Sequence, residues 1–180
     1  MEKARDIIKV SIVGPECTGK STLASLLAKY YNTVWVEEYA RHYIDRLERP
    51  YEEKDLRDIA LGQMKWEDEL AKKANRVLIC DTDLLVIKIW AEHKYGVAYP
   101  EILEAYNSRQ YDLHILTGAE IPWEEDPQRE NPVLRDFFYT TFKKELETKN
   151  ANFIEVSGNH YERQKKAVKA IDQLLGYCQV

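Results

Sequence analysis

Gly14-Pro15-Glu16-Cys17-Thr18-Gly19-Lys20-Ser21 leaves the apolar run Ile7 to Val13 and enters the helical pattern Thr22-Leu23-Ala24-Ser25-Leu26-Leu27. A Gly-x-x-x-x-Gly-Lys-Ser pattern between a strand and a helix is the setting a phosphate-binding loop requires. The glycines allow several backbone N–H groups to point inward, and the helix that follows adds its positive N-terminal end. Gly14, Glu16, Cys17, Thr18, Gly19, Lys20, Ser21 and Thr22 are therefore expected to line a nucleotide triphosphate. Lys20 is placed to reach the β- and γ-phosphates, and the Ser21 hydroxyl to hold Mg²⁺.

Outward from this loop, short apolar runs alternate with longer amphipathic stretches, which predicts a parallel sheet covered by crossover helices. Strands are expected over Ile7 to Val13, Thr33 to Glu37, Arg76 to Asp81, Asp112 to Thr117 and Asn152 to Val156. Helices are expected over Lys20 to Tyr30, Asp55 to Ala74, Leu84 to Lys94, Leu134 to Thr148 and Tyr161 to Leu175, where apolar residues recur every three or four positions. Between the fourth strand and the helix at Leu134, Glu120 to Pro132 contains three prolines among acids, so it reads as a long mobile loop.

The chain of 180 residues fits one domain, 1–180, with a lid at about 120–134. A net charge of −5 argues against extended nucleic-acid contact, which needs a basic surface. Met1 to Lys9 lacks the apolar core of a secretory leader and no apolar run is long enough to span a membrane, so a cytoplasmic protein without membrane contact is expected. Cys17, Cys80 and Cys178 are too widely spaced for a zinc site or disulfide framework and are expected as free thiols.

Phosphate loops serve switches, motors and kinases alike, and the remaining polar residues decide between them. The chain contains neither the Asn-Lys-x-Asp nor the Asp-x-x-Gly segment of a GTP-dependent switch. A small-molecule kinase needs carboxylates to orient and deprotonate an acceptor hydroxyl, cations for the transferring phosphoryl group, and a lid against water. The carboxylates Glu38, Asp81 and Asp83 stand at strand ends, where open α/β sheets place ligands. Glu38 is expected to orient the acceptor hydroxyl and Asp81 to meet Mg²⁺ or its water shell. For Asp83 two readings stand, substrate contact and the N-cap of the next helix. Arg129 in the lid is the expected phosphate-binding cation, with Arg135 divided between that role and a solvated face. Trp123 either stacks on a flat heterocycle or anchors the loop to the domain body.

Gly14 to Ser21, Glu38-Tyr39-Ala40-Arg41, Ala60-Leu61-Gly62-Gln63, Asp81-Thr82-Asp83, and Trp123 through Asp126 to Arg129 occur in one order along nearly the whole chain. In that order and spacing the sequence resembles the ribosylnicotinamide kinase domain of NadR-type proteins. The resemblance implies transfer of the ATP γ-phosphate to the 5′-hydroxyl of nicotinamide riboside, giving nicotinamide mononucleotide for NAD synthesis, with ATP and Mg²⁺ required. It implies catalytic roles for Lys20, Glu38, Asp81 and Arg129, metal contact by Ser21 and Asp81, and substrate contact by Glu38, Tyr39, Arg41, Asp83, Trp123 and Asp126. It also implies a three-layer P-loop kinase fold with a five-stranded parallel sheet in the order 2-3-1-4-5, in which the loop holding Gly158 and Asn159 lies beside the adenine. Pro127 replaces the glycine usual in the family's lid. A kinase for another nucleoside and a regulatory ATP-binding module are the rival readings.

Overall fold

The computed structural model describes residues 7–177. Cys178, the opening residues of the Met1 to Lys9 segment, and the two ends of the expected 1–180 domain lie outside the described residues.

Among the described residues twelve elements follow one another: β1 (Ile8–Val13), α1 (Lys20–Tyr30), β2 (Trp35–Val36), α2 (Tyr39–Ile44), α3 (Glu53–Ala71), β3 (Val77–Asp81), α4 (Leu84–Tyr95), α5 (Pro100–Ser108), β4 (Leu113–Thr117), α6 (Arg135–Thr148), β5 (Phe153–Val156) and α7 (His160–Leu175). The five strands form one sheet in the order β2-β3-β1-β4-β5, and every pairing is parallel. This is the parallel sheet covered by helices expected from the alternation of short apolar runs with amphipathic stretches, and its strand order is the one the family resemblance implied. β3 and β4 are buried along their whole length, as strands covered on both faces must be.

α1 and α7 cover one face, where Leu23, Leu27, Ala167 and Ile171 pack on Val10, Ile12, Ile79 and Ile115. On the opposite face α4 and α6 bring Leu85, Ile89, Phe138 and Phe142 onto Val13 and Leu116. At the other end of that face, Trp66 and Leu70 of α3 lie on Val36, Leu78 and Cys80. Fully burying each such aliphatic side chain stabilises the fold by roughly 1.5–3 kcal/mol. The strand ends therefore sit on a stiff platform, and Ile12 pairs in register with Asp81 so that β1 and β3 deliver their last residues side by side.

The second strand is shorter than the expected Thr33 to Glu37. It lies at the sheet edge, and Thr33 replaces ladder bonds with its side chain: Thr33 Oγ1 donates to the Val77 carbonyl at 2.8 Å and accepts from Asn75 N–H at 2.8 Å. α3 starts two residues early because Glu52 and Asp55 form a capping box. α2 and α5 have no counterpart in the sequence reading. Six residues are too few to display a helical period, whereas Pro100 in the first turn of α5 is a start signal that was there to use. Gly118 to Leu134 holds no regular element.

Candidate active site

The phosphate loop connects β1 to α1 as its sequence requires, and it is braced from β4. Thr18 Oγ1 donates to the Pro15 carbonyl at 2.8 Å and shares a 2.6 Å hydrogen bond with Thr117 Oγ1, which reaches the Val13 carbonyl at 3.2 Å. Gly14 has φ 143°, and a Cβ there would fall 2.4 Å from Thr117 Oγ1, so this position admits glycine alone. Lys20 Nζ donates to the carbonyls of Gly14 and Pro15 at 3.1 and 2.7 Å, curling over the loop it serves.

Ser21 and Asp81 meet across the ends of α1 and β3. Ser21 Oγ donates to Asp81 Oδ2 at 2.5 Å, while Asp81 Oδ1 is buried without a partner. Burial, with Glu38 nearby, pushes the Asp81 carboxyl up to about 6 against the opposing pull of Lys20, Ser21 and Arg41. One hydroxyl and one carboxylate, whose Oδ1 is buried and unsatisfied, form a donor set that suits Mg²⁺, which takes one or two protein oxygens and completes its shell with water and phosphate. Glu38 precedes α2, and its Oε2 lies 3.5 Å from Arg41 Nε. Arg41 in turn donates from Nη1 to Asp126 Oδ2 at 2.9 Å, tying α2 to the lid.

The lid is seated by the phosphate loop itself. The Glu16 carboxylate accepts the backbone N–H groups of Glu130 at 3.2 Å and Asn131 at 2.9 Å. Cys17, with a left-handed φ of 54°, accepts the Glu124 N–H at its Sγ, 3.2 Å away. Arg135 Nη1 donates to the carbonyls of Cys17 and Ile121, so it staples lid to loop rather than standing free as a phosphate-binding cation. At its far edge the lid is held by Gln128 on Asp45 and by Glu130 near Lys94.

A cleft of about 170 Å³ runs beneath the lid, lined by Gly14 to Thr22 on one side and by Glu38, Arg41, Trp90 and Arg129 on the other. Arg129 Nη1 donates to the Glu124 carbonyl at 2.5 Å, and its Nε is buried without a partner. Trp90 and Val86 lie one turn apart on α4 and face Phe138 and Phe142 of α6 in the same lining. Neither Trp90 nor this apolar bay was expected. A period that places Val86 and Trp90 on one helix face was available in the sequence, but it is shared with ordinary core packing.

Several expected substrate contacts lie elsewhere. Asp83 is buried: it caps α4 by accepting the Leu85 N–H at 2.8 Å, and His114 Nε2 lies 3.2 Å from its Oδ2 without hydrogen-bond alignment. The helix-capping reading holds for this residue, and it does not line the cleft. Tyr39 lies against Trp66 with ring centroids 4.7 Å apart, and its ring occupies the space where a Cβ of Gly62 would be, 2.0 Å away. Its N–H donates to Gln63 Oε1 at 2.9 Å, which explains why Gly62 and Gln63 occur together. Trp123 is half-buried on the lid, bonded to Glu125 and flanked by the guanidinium groups of Arg129 and Arg135 at about 6 Å; it is neither a core anchor nor a cleft wall. Asn159 caps α7 through a box with Glu162, and Gly158 N–H donates to Glu120 at 2.7 Å. Replacing Asp83 with alanine should cost about 1–3 kcal/mol of stability through the lost cap and the isolated His114. Urea unfolding measures this, and nucleotide affinity below the transition should remain that of the parent.

No helix among the described residues is long and apolar enough to cross a membrane. Residues 9–163 match a family described as an AAA domain. Over 176 residues the chain is 30% identical to the trifunctional NAD biosynthesis/regulator protein NadR of Salmonella typhimurium, covering 93% of this chain and 42% of that protein. The chain thus spans less than half the length of this curated relative. A crystal structure of NadR protein in complex with NR superposes with a TM-score of 0.80 at 21% identity, covering 97% of this chain and 53% of that one. Another, of NadR protein with NAD and AMP-PNP, gives 0.75 at 18% identity, covering 97% and 51%. The match over residues 9–163, most of the chain's length, shows that the chain belongs to this AAA domain family.

Proposed function

We propose that this chain is an ATP-dependent kinase that transfers the γ-phosphate to the 5′-hydroxyl of nicotinamide riboside, giving nicotinamide mononucleotide. The observation that carries this reading is the single cleft in which the phosphate loop faces Glu38, Arg41 and Trp90 beneath Arg129. A nucleotide-dependent switch has no need of a carboxylate and an aromatic bay across from its phosphates; an acceptor hydroxyl attached to a flat ring needs both. The structures of NadR bound to NR and to an ATP analogue support the same pairing of ligands.

Phosphoryl transfer demands positioning and charge stabilisation more than covalent chemistry. Lys20 leaves the Gly14 and Pro15 carbonyls for the β- and γ-phosphates, and the loop's N–H groups hold the remaining oxygens. Ser21 and Asp81 would hold Mg²⁺, which supplies charge neutralisation between the phosphates when bound. Glu38 orients the acceptor hydroxyl and takes its proton, while Arg41, pinned by Asp126, keeps the Glu38 carboxylate facing the cleft. Arg129 adds positive charge from the lid. With the lid seated the cleft holds about 170 Å³, less than the ~300 Å³ at which small-molecule sites begin, so the lid lifts for entry and closes to exclude water. Residues 120–134 form that lid within a single kinase domain. The acceptor's ring lies against Trp90 and the α6 phenylalanines.

The test is ADP release from MgATP with nicotinamide riboside, set against uridine, cytidine, adenosine, thymidine and no acceptor. Release confined to nicotinamide riboside, with the mononucleotide as product, is expected. Equal release with every nucleoside, or none with any, would sink the acceptor assignment.

A further inference from the structure

Arg163 is charged, one of the largest side chains in the molecule, and only 1% exposed. Its guanidinium uses all three nitrogens. Nη1 donates to the Thr18 carbonyl in the phosphate loop at 2.6 Å, and Nε donates to the Gly158 carbonyl in the β5–α7 loop at 2.9 Å. Nη2 donates to the Gly118 carbonyl at the end of β4 at 3.2 Å and to Glu120 Oε1 at the root of the lid at 2.5 Å. That same Glu120 oxygen accepts the Gly158 N–H at 2.7 Å, closing a ring between the lid root and the β5–α7 loop. Three chain segments, the phosphate loop, residues 118–120 and the β5–α7 loop, converge on one side chain.

Burying a guanidinium costs several kcal/mol before its partners are counted, and a well-packed apolar residue often serves stability as well or better. Three of the four acceptors are backbone carbonyls, which return hydrogen bonds without neutralising charge, and the single carboxylate, Glu120, is itself 42% exposed. Stability alone therefore accounts poorly for this arrangement. What the residue does supply is rigid spacing: a planar fork fixes Thr18, Gly118 and Gly158 at set distances, which a flexible ammonium would not. The root of the fork is held as well, because Asn159 and Glu162 lock the start of α7 in a capping box.

We propose that Arg163 is a positioning residue that joins the phosphate loop, the lid root and the Gly158 loop into one preorganised bed for the two halves of ATP. The inference rests on the kinase reading above, with the triphosphate on the Gly14–Ser21 loop, and on the family resemblance, which implies that the adenine lies beside Gly158. Each half of the ligand binds a different chain segment, and the affinity of the whole exceeds that of the parts only while the segments keep their spacing. The Glu120 link carries the same spacing into the lid.

The experiment compares the full chain with Arg163→Lys, which keeps the charge and loses the fork, and with Glu120→Gln, a milder change at a part-exposed position. Ile171→Val, in the core face of α7 away from the site, supplies a control for lost stability. MgATP, inorganic tripolyphosphate and adenosine are titrated separately at a temperature where circular dichroism shows each protein folded. For Arg163→Lys, ATP affinity is expected to fall about tenfold or more while the affinities for tripolyphosphate and adenosine stay within about twofold. Glu120→Gln shifts in the same direction by a smaller factor and keeps the test open should Arg163→Lys not fold. Ile171→Val lowers the melting temperature and leaves all three affinities alone. Unchanged ATP affinity in both site variants, or an equal loss for all three ligands, would overturn the proposal by leaving Arg163 a purely structural role. Failure of the parent chain to bind MgATP overturns the nucleotide-site reading and this inference with it, whereas the identity of the acceptor does not enter any of these titrations.

Discussion

Glu38→Gln is expected to lower kcat by about 10²–10⁴ while ATP affinity stays within a few-fold, because the amide keeps the shape of the carboxylate but accepts no proton. Two carboxylates approach the phosphate loop, and their surroundings separate their tasks. Asp81 is engaged at 2.5 Å by the Ser21 hydroxyl and is buried at the end of β3, where a bound cation would hold it ionised. Glu38 lies in the cleft lining with Arg41 Nε 3.5 Å from its Oε2 and Asp81 nearby, and the Arg41 contact orients the carboxylate without sealing it from an incoming hydroxyl. Glu38→Gln therefore separates the proposed kinase from a nucleotide-sensing module: steady-state turnover with nicotinamide riboside and ATP titration are the two measurements. Loss of ATP affinity with turnover per bound complex intact would move Glu38 from the reaction to nucleotide binding.

Lys20→Met is the second large effect, an expected fall in kcat of about 10²–10³ from removing one positive charge at the transferring phosphoryl group. The replacement keeps an unbranched chain of similar length, and the loop itself does not depend on the ammonium. Thr18, Thr117 and the Pro15 and Val13 carbonyls hold it independently of Lys20. Thermal unfolding of Lys20→Met should therefore remain close to that of the parent while single-turnover chemistry slows. A large loss of stability together with activity would show that the Lys20 contacts with Gly14 and Pro15 maintain the loop, not merely occupy it.

The residues legible in advance were those whose role depends on near neighbours along the chain. The Gly14 to Ser21 loop is defined by a local pattern between a strand and a helix. β3 and β4, apolar at most positions, announce burial on both faces. The Asp83 cap was also legible as one of two local readings, since a side chain two residues before a helical amide either reaches it or does not. Trp123 and Tyr39 illustrate the opposite case. The family motif placed Tyr39 near the substrate, and Trp123 was divided between stacking on a heterocycle and anchoring the loop, because an aromatic ring serves core, lid and ligand equally well and only packing partners distinguish these uses. Tyr39 goes to Trp66 and the gap left by Gly62, and Trp123 lies between Arg129 of the lid and Arg135 at the start of α6.

The sequence by itself determined the layered parallel sheet, the phosphate loop and the presence of Glu38 and Asp81 at strand ends, because each follows from hydrophobic period and local backbone geometry. Only the tertiary structure decided that Arg135 staples the lid, that Glu16 seats it, that Trp90 and the α6 phenylalanines wall the cleft, and that Arg163 gathers three segments. Thr18 and Arg163 are 145 positions apart, Glu16 and Asn131 115. Contacts across such separations leave no periodic trace in a single chain; they exist because the sheet order brings β1, β4 and β5 together and sets the loops beyond their carboxyl ends within reach of one another.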